Sequence, residues 1–204
     1  MPFILRKIRK ARWHGNDVLD WLLPDEIQAD SLLDLSTKDN QLSIYIVEDD
    51  RSNLERIIAA LAGNCDFISN VDYALVPAEV LSESGIEVAD VKGETSDEQV
   101  NEAHRDLIHL SASKLLVLAK AISIRGERTR LTTKKVRKMI GRSIANGYID
   151  KARLKLPANE ISKLKLPQQS DGTTADHGNR INKGTSDREI GRDPEANQPG
   201  GSEE

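Results

Sequence analysis

The sequence is poor in cysteine, in aromatic residues and in long apolar runs. Cys65 is the single cysteine among 204 residues, which excludes an intrachain disulfide framework and a multi-cysteine zinc site. Aromatic residues make up 3% of the chain, so the hydrophobic core has to be mainly aliphatic. No apolar run reaches the roughly 18 to 20 residues that are needed to span a bilayer.

Export and nucleotide-binding signals are missing as well. The segment 1–5 precedes a basic run, which reverses the order of a secretory signal, and no apolar region with a cleavage site follows. Neither main type of phosphate-binding glycine loop occurs, which weakens a nucleotide-hydrolysing function without excluding it. We therefore expect a cytoplasmic protein with no cofactor, no metal and no membrane partner, and no catalytic residue can be named.

Charge is segregated along the chain, although the formal net charge is only −4. Residues 1–14 carry five basic and no acidic side chains, and residues 15–124 carry 22 acidic and seven basic ones. Residues 125–155 then carry eleven basic and two acidic side chains. Opposite charges attract within the screening length of about 8 Å, so docking inside the molecule competes with binding of an external polyanion.

Apolar periodicity predicts both strands and helices. The alternation in Leu42–Val47 predicts a strand, and residues 71–76 and 86–90 predict two more. Residues 52–62 have an i, i+3, i+4, i+7 apolar stripe behind a capping-box spacing, which predicts a helix. The basic segment 6–12 fits a helix and a strand equally well.

Two further helices are predicted in the second half of the chain. Residues 97–124 are predicted as one long helix, opened by a second capping box at Ser96. Its part 115–122 is apolar nearly all round, which is typical of a helix buried at the centre of a protein. Residues 133–146 form the third predicted helix, with Thr132 or Thr133 as its N-cap.

These elements predict a mixed α+β fold, with a small three- to four-stranded sheet packed by helices. Residues 1–124 are predicted to form an acidic α/β domain with a basic N-terminal arm, and residues 125–165 a basic helical extension. Residues 166–204 contain no aromatic residue and few large aliphatic ones. Such a stretch buries too little apolar surface to offset its ordering entropy, so we expect a disordered tail.

The helix 133–146 carries the clearest functional signal. Five cations on one amphipathic helix are able to neutralise several phosphates and to bind nucleic acid. The same face is also compatible with docking on the protein's own acidic body or with simple solvation. The candidate nucleic-acid-binding residues are Lys134, Lys135, Arg137, Lys138 and Arg142.

Residues 43–54, with the sequence SIYIVEDDRSNL, resemble the first strand, acidic pair and first helix of response-regulator receiver domains. The resemblance covers about a dozen residues. It implies that Asp49 and Asp50 bind Mg²⁺ beside a phosphoacceptor, for which Asp90 is the candidate. An acidic run at a strand-to-helix junction is also typical of a solvated turn that complements the helix dipole.

Three functional hypotheses follow from the sequence. The first is a non-enzymatic interaction or regulatory protein, with a protein partner and an undetermined oligomeric state. The second is a nucleic-acid-binding protein that uses the helix 133–146. The third is a Mg²⁺-dependent enzyme or phosphoacceptor around Asp49 and Asp50.

Overall fold

Alternating apolar side chains build the centre of the molecule as a β-sheet. The computed structural model describes residues 1–14, 19–23 and 26–164, so the predicted disordered tail lies outside the described residues. The sheet has six strands in the order β4-β5-β2-β1-β3-β6, and neighbouring strands pair antiparallel. The strands are β1 Phe3–Ile8, β2 Leu42–Val47, β3 Val71–Pro77, β4 Glu87–Ala89, β5 His104–Ile108 and β6 Glu127–Leu131. The mixed α+β class is confirmed, and the predicted number of strands is wrong.

Helices cover both faces of the sheet. Successive residues of β1 point to opposite faces, so Leu5 belongs to one buried cluster and Ile4 to the other. Helices α1 and α5 contribute to the cluster around Leu5, and α4 contributes to the cluster around Ile4. The helices are α1 Leu54–Gly63, α2 Glu79–Glu83, α3 Glu98–Glu102, α4 Ala112–Ile124, α5 Thr133–Ala145 and α6 Ala158–Ile161.

Several predicted elements are confirmed, among them β2 with its predicted bounds and strands β3 and β4. Helix α1 begins two residues later than predicted, and its N-cap is Asn53 rather than Ser52. The Asn53 side chain accepts the N–H of Glu48 and donates to the carbonyl of Ile46. These two bonds hold the turn that connects β2 to α1.

The long helix predicted over residues 97–124 is wrong, because the segment forms α3, β5 and α4. Residues of β5 pair with β2 on one side and with β4 on the other, so sheet formation overrides a local helical pattern. The chain turns at His109, which has a φ of 50°. The predicted burial of residues 115–122 on all sides is also wrong, since Leu116 and Val117 are 43% and 44% exposed.

The basic segments take part in the fold. The N-terminal arm forms β1, between β2 and β3, and continues into a 3-10 helix, Lys10–Arg12. Residues 125–165 were predicted as a helical extension, and the described part of this segment supplies the edge strand β6 and the helix α5, which packs on α1. The predicted domain boundaries stay predictions.

The resemblance of residues 43–54 to receiver domains does not extend to the fold. Receiver domains have a parallel, doubly wound sheet. Strand β2 is antiparallel to both of its neighbours, β1 and β5.

Candidate functional site

Helix α5 presents cations to solvent on one side and apolar side chains to the core on the other. The Thr132 hydroxyl accepts the N–H of Lys135 and caps the helix, while Val136 and Ile140 are fully buried. At 100° per residue the exposed cations fall within an arc of about 100°. This surface, which we term the cationic face, consists of Lys134, Lys135, Lys138 and Arg142.

The cationic face is regularly spaced and largely unneutralised. Lys134, Lys138 and Arg142 follow one another at i+4 spacing, so the row extends about 12 Å along α5. Across the described residues, no hydrogen bond or ion pair joins the side chains of Lys134, Lys135 and Lys138 to another group. Arg142 Nε lies 3.0 Å from Glu55 Oε1, and both side chains are well exposed. Such an exposed ion pair contributes about 0 to 1 kcal/mol.

Arg137, the fifth predicted site residue, lies on a different side of α5. Its guanidinium donates to Glu160 Oε2 at 3.1 Å, and the side chain is partly buried. Hydrogen bonds from Lys163 and then from Arg137 lower the pKa of Glu160. Arg137 therefore links α5 to α6 and does not belong to the cationic face.

The basic N-terminal arm is docked on the acidic body by a buried carboxylate. Asp34 accepts the N–H of Arg9 at 2.7 Å, the guanidinium of Arg12 at 2.9 Å and the indole N–H of Trp13 at 2.8 Å. The Asp34 carbonyl accepts a further bond from the Arg6 guanidinium. The positive charge of the arm is thus partly neutralised inside the molecule.

Arg125 and Arg130, which precede the cationic face in sequence, are also paired with carboxylates. Asp72 accepts the Arg130 guanidinium through both oxygens, at 2.7 and 2.8 Å, and this bond is the main cause of the lowered pKa of Asp72. Arg125 bridges Glu79 and Glu83 at 2.7 Å each. The cationic face differs from these groups because three of its four cations have no such partner among the described residues.

A buried carboxylate organises the region beyond the C-terminal end of α5. Asp97 is 0% exposed and accepts the backbone N–H groups of Gln99 and Val100, which caps α3. The Arg56 guanidinium donates to both Asp97 oxygens, at 2.5 and 2.8 Å. The same guanidinium lies 4.0 Å from the centre of the Tyr148 ring, a cation–π contact.

A cleft of about 620 Å³ opens beside this arrangement, between α1, α3 and the turn that follows α5. Its lining contains three arginines and three glutamates, so it has no net formal charge. Arg142 lines the cleft and also belongs to the cationic face, which makes the two features continuous. The cleft residues used below are Arg56, Gln99, Arg142, Asn146 and Tyr148.

The residues of the predicted Mg²⁺ site have other partners. Asp49 pairs with the N-terminal amino group, and Asp90 pairs with the Arg105 guanidinium at 2.5 Å. Asp50 accepts the N–H of Ser52, which lowers the pKa of the Asp50 carboxyl. Within the described part of the chain, no three His, Cys, Asp or Glu side chains form a group able to hold a metal ion.

Cys65 and His104 have structural contacts. Cys65 is partly buried, and its thiol donates to the Leu61 carbonyl at 3.4 Å. His104 is buried in β5, with Nδ1 2.8 Å from the Val91 carbonyl and the ring edge against Tyr45. Both side chains help to hold the fold in the described structure.

Comparison with known proteins adds no family to these observations. No protein-family model, curated protein or solved structure matches the chain. In the described ranges, every helix is too short or too polar to cross a membrane. The functional conclusion therefore depends on the geometry given above.

Proposed function

We propose that this protein is a non-enzymatic interaction protein that binds nucleic acid through the cationic face of α5. The observation that carries the proposal is the exposed row of Lys134, Lys138 and Arg142 with Lys135 beside it. Arg12, Arg125 and Arg130 are instead paired with carboxylates of the same chain. A row of cations of this length, in which Arg142 alone has a carboxylate partner, matches the repeating negative charge of a phosphate backbone.

The electrostatic balance supports binding at this face. Phosphate contacts release counterions, so log affinity falls linearly with log salt concentration. Each contact steepens this salt slope by about 0.7 for a single strand and by about 0.9 for a duplex. Four contacts therefore give a slope of about −3 to −4 in a plot of log affinity against log salt. The acidic segment 15–124 repels phosphate, so it disfavours binding over that part of the chain.

Arg142 is able to exchange its partner when nucleic acid binds. Its bond to Glu55 is exposed to solvent and stabilises the free protein by about 1 kcal/mol at most. A phosphate at the same guanidinium forms a charge-assisted and often bidentate contact. The exchange therefore has a small net cost, and the Arg142–Glu55 pair does not block the site.

Fluorescence anisotropy with a labelled oligonucleotide tests the proposal. The triple variant Lys134→Gln/Lys135→Gln/Lys138→Gln should lose more than tenfold in affinity at low salt, and its salt slope should fall by about 2 to 3. The control Lys7→Gln/Lys38→Gln/Lys92→Gln removes the same number of positive charges from other parts of the chain. Equal losses in both variants, or no binding by the wild type at low salt, would refute the proposal.

A second candidate function, association with protein, is favoured by the outward face of α4. Leu116, Val117 and Ile124 lie on this face and are 43%, 44% and 64% exposed, which is unusual for one side of a helix in a monomer. We propose a second copy of the chain as the occupant. In an antiparallel pair of α4 helices, Ile124 of one copy would lie near the small residues Ala112 and Ser113 of the other, and opposite ends of the helix dipoles would lie side by side.

Sedimentation velocity tests this association. Wild-type protein should show a dimer that the exposed substitution Leu116→Glu removes. The control Phe67→Glu alters a still more exposed apolar residue outside α4 and should leave the dimer intact. A wild-type protein that stays monomeric at high concentration would contradict this second function.

A further inference from the structure

The cationic face leads directly into the cleft, and the two surfaces differ in chemistry. The face carries four positive charges, whereas the rest of the cleft lining, without the shared Arg142, contains two arginines and three glutamates. Phosphate groups are attracted to the face and gain no net attraction from the rest of the cleft. The cleft is therefore suited to an uncharged group that is attached to a phosphate backbone.

Tyr148 gives the cleft a surface on which a flat ring can stack. The Arg56 guanidinium lies over one face of the ring, 4.0 Å from its centre, and Tyr148 remains 44% exposed. Arg56 is fixed in turn by two bonds to the buried Asp97. Aromatic rings and guanidinium planes of this kind stack on unpaired nucleobases.

Polar groups near Tyr148 are able to bind the edge of a base. Gln99 accepts a bond from Arg56 through Oε1, which leaves its amide N–H₂ to donate. Asn146 lies at the C-cap of α5 and is exposed. The cleft volume of about 620 Å³ falls within the range of about 300 to 1,000 Å³ found for small-molecule sites.

We propose that the nucleic acid bound by this protein is single-stranded, with its phosphates along the cationic face and one unstacked base in the cleft on Tyr148. This inference rests on the proposed function. A duplex keeps its bases stacked, and extruding one costs a few kcal/mol, so a duplex can use the cationic face only. The positive charge of the face and the lack of excess positive charge in the rest of the cleft together favour the single strand.

The test compares a fluorescein-labelled 20-nucleotide single-stranded DNA of mixed sequence with the same sequence as a duplex. Tyr148→Ala should weaken single-strand binding about tenfold or more and leave duplex affinity and the salt slope unchanged. Tyr148→Phe keeps the stacking surface and should bind like the wild type. Phe67→Ala, which removes an exposed aromatic ring outside the cleft, should have no effect, and thermal melts should confirm that each variant is folded.

The outcomes separate this inference from the proposed function. If the three-lysine variant loses binding but Tyr148→Ala weakens single strand and duplex equally or not at all, the single-strand inference is wrong and the proposed function stands. If a Tyr148→Phe variant loses binding as the alanine variant does, stacking is not the interaction and the inference is again wrong. If the wild type binds neither DNA at low salt, both proposals fail.

Discussion

Asp97 should be among the most sensitive polar positions in this protein. The carboxylate is 0% exposed and meets three elements at once, because it caps α3, binds Arg56 of α1 and thereby fixes the guanidinium over Tyr148 beyond α5. Asp97→Ala removes four acceptor contacts and leaves the partly buried Arg56 without its carboxylate partner.

The expected loss follows from these contacts. Breaking a buried ion pair by removing one partner costs about 3 to 5 kcal/mol, and loss of a helix N-cap accounts for about 1 kcal/mol. The two effects share one side chain and do not simply add, so we expect a loss of about 4 kcal/mol. A domain of this size has a total stability of about 5 to 15 kcal/mol, so Asp97→Ala should bring it close to unfolding at physiological temperature.

Urea denaturation followed by far-ultraviolet circular dichroism measures this loss. The matched control is Asp90→Ala, which removes a carboxylate that pairs with Arg105 but is 88% exposed, and it should cost less than about 1 kcal/mol. A loss below about 1.5 kcal/mol for Asp97→Ala, or equal losses for the two variants, would show that Asp97 does not organise this region.

Three further predictions concern other parts of the fold. The bond from Arg130 lowers the pKa of Asp72, so the stability that Asp72 contributes is complete above its unfolded pKa and is lost as pH falls below about 4. Asp72→Asn should therefore reduce the fall in unfolding free energy at acidic pH. An unchanged fall would contradict this prediction. Leu118→Ala in α4 should lower the free energy of unfolding by about 2 to 5 kcal/mol because Leu118 is 1% exposed. Leu116→Ala should change monomer stability by about 0.5 kcal/mol or less. Similar urea midpoints for the two variants would refute the assignment of Leu118 to the buried face of α4 and of Leu116 to its exposed face. Asp34→Ala should release the N-terminal arm, so hydrogen exchange at residues 9–13 should rise more than in α5, and uniform exchange across the chain would argue against the docked arm.

Local patterns predicted β2 and α5 well, because in both elements the apolar repeat of the sequence coincides with the buried face of the structure. In β2, Leu42 and Ile44 face one core and Val47 faces the other. In α5, Val136 and Ile140 form the buried stripe. Here local preference and tertiary packing agree, and prediction from the sequence succeeds.

Strand β5 was not predictable in this way. Its residues His104, Asp106 and Ile108 have no simple apolar alternation, and the segment was assigned to a helix. It forms a strand because β2 and β4 offer hydrogen-bonding edges on both sides of it. The pairing partners lie 60 and about 20 residues away in sequence, so only the tertiary structure provides the deciding interaction.

The candidate site was predictable only in part. The cations of the cationic face were found because they lie on one helix, but the position of Arg137 depends on Glu160 of α6. The cleft was missed because its residues come from separate elements that meet only in the folded chain. The sequence feature that could have indicated the cleft is Tyr148. It is an aromatic residue two positions after the α5 C-cap, in a chain with 3% aromatic residues.

The salt dependence of single-stranded DNA binding tests the central claim most directly. For the wild type, log affinity against log salt concentration should fall with a slope of about −3, as expected for four phosphate contacts. For Lys134→Gln/Lys135→Gln/Lys138→Gln the slope should be about −1, since Arg142 alone remains. Identical slopes for the two proteins, or a wild type that does not bind at low salt, would contradict the claim that these cations bind nucleic acid.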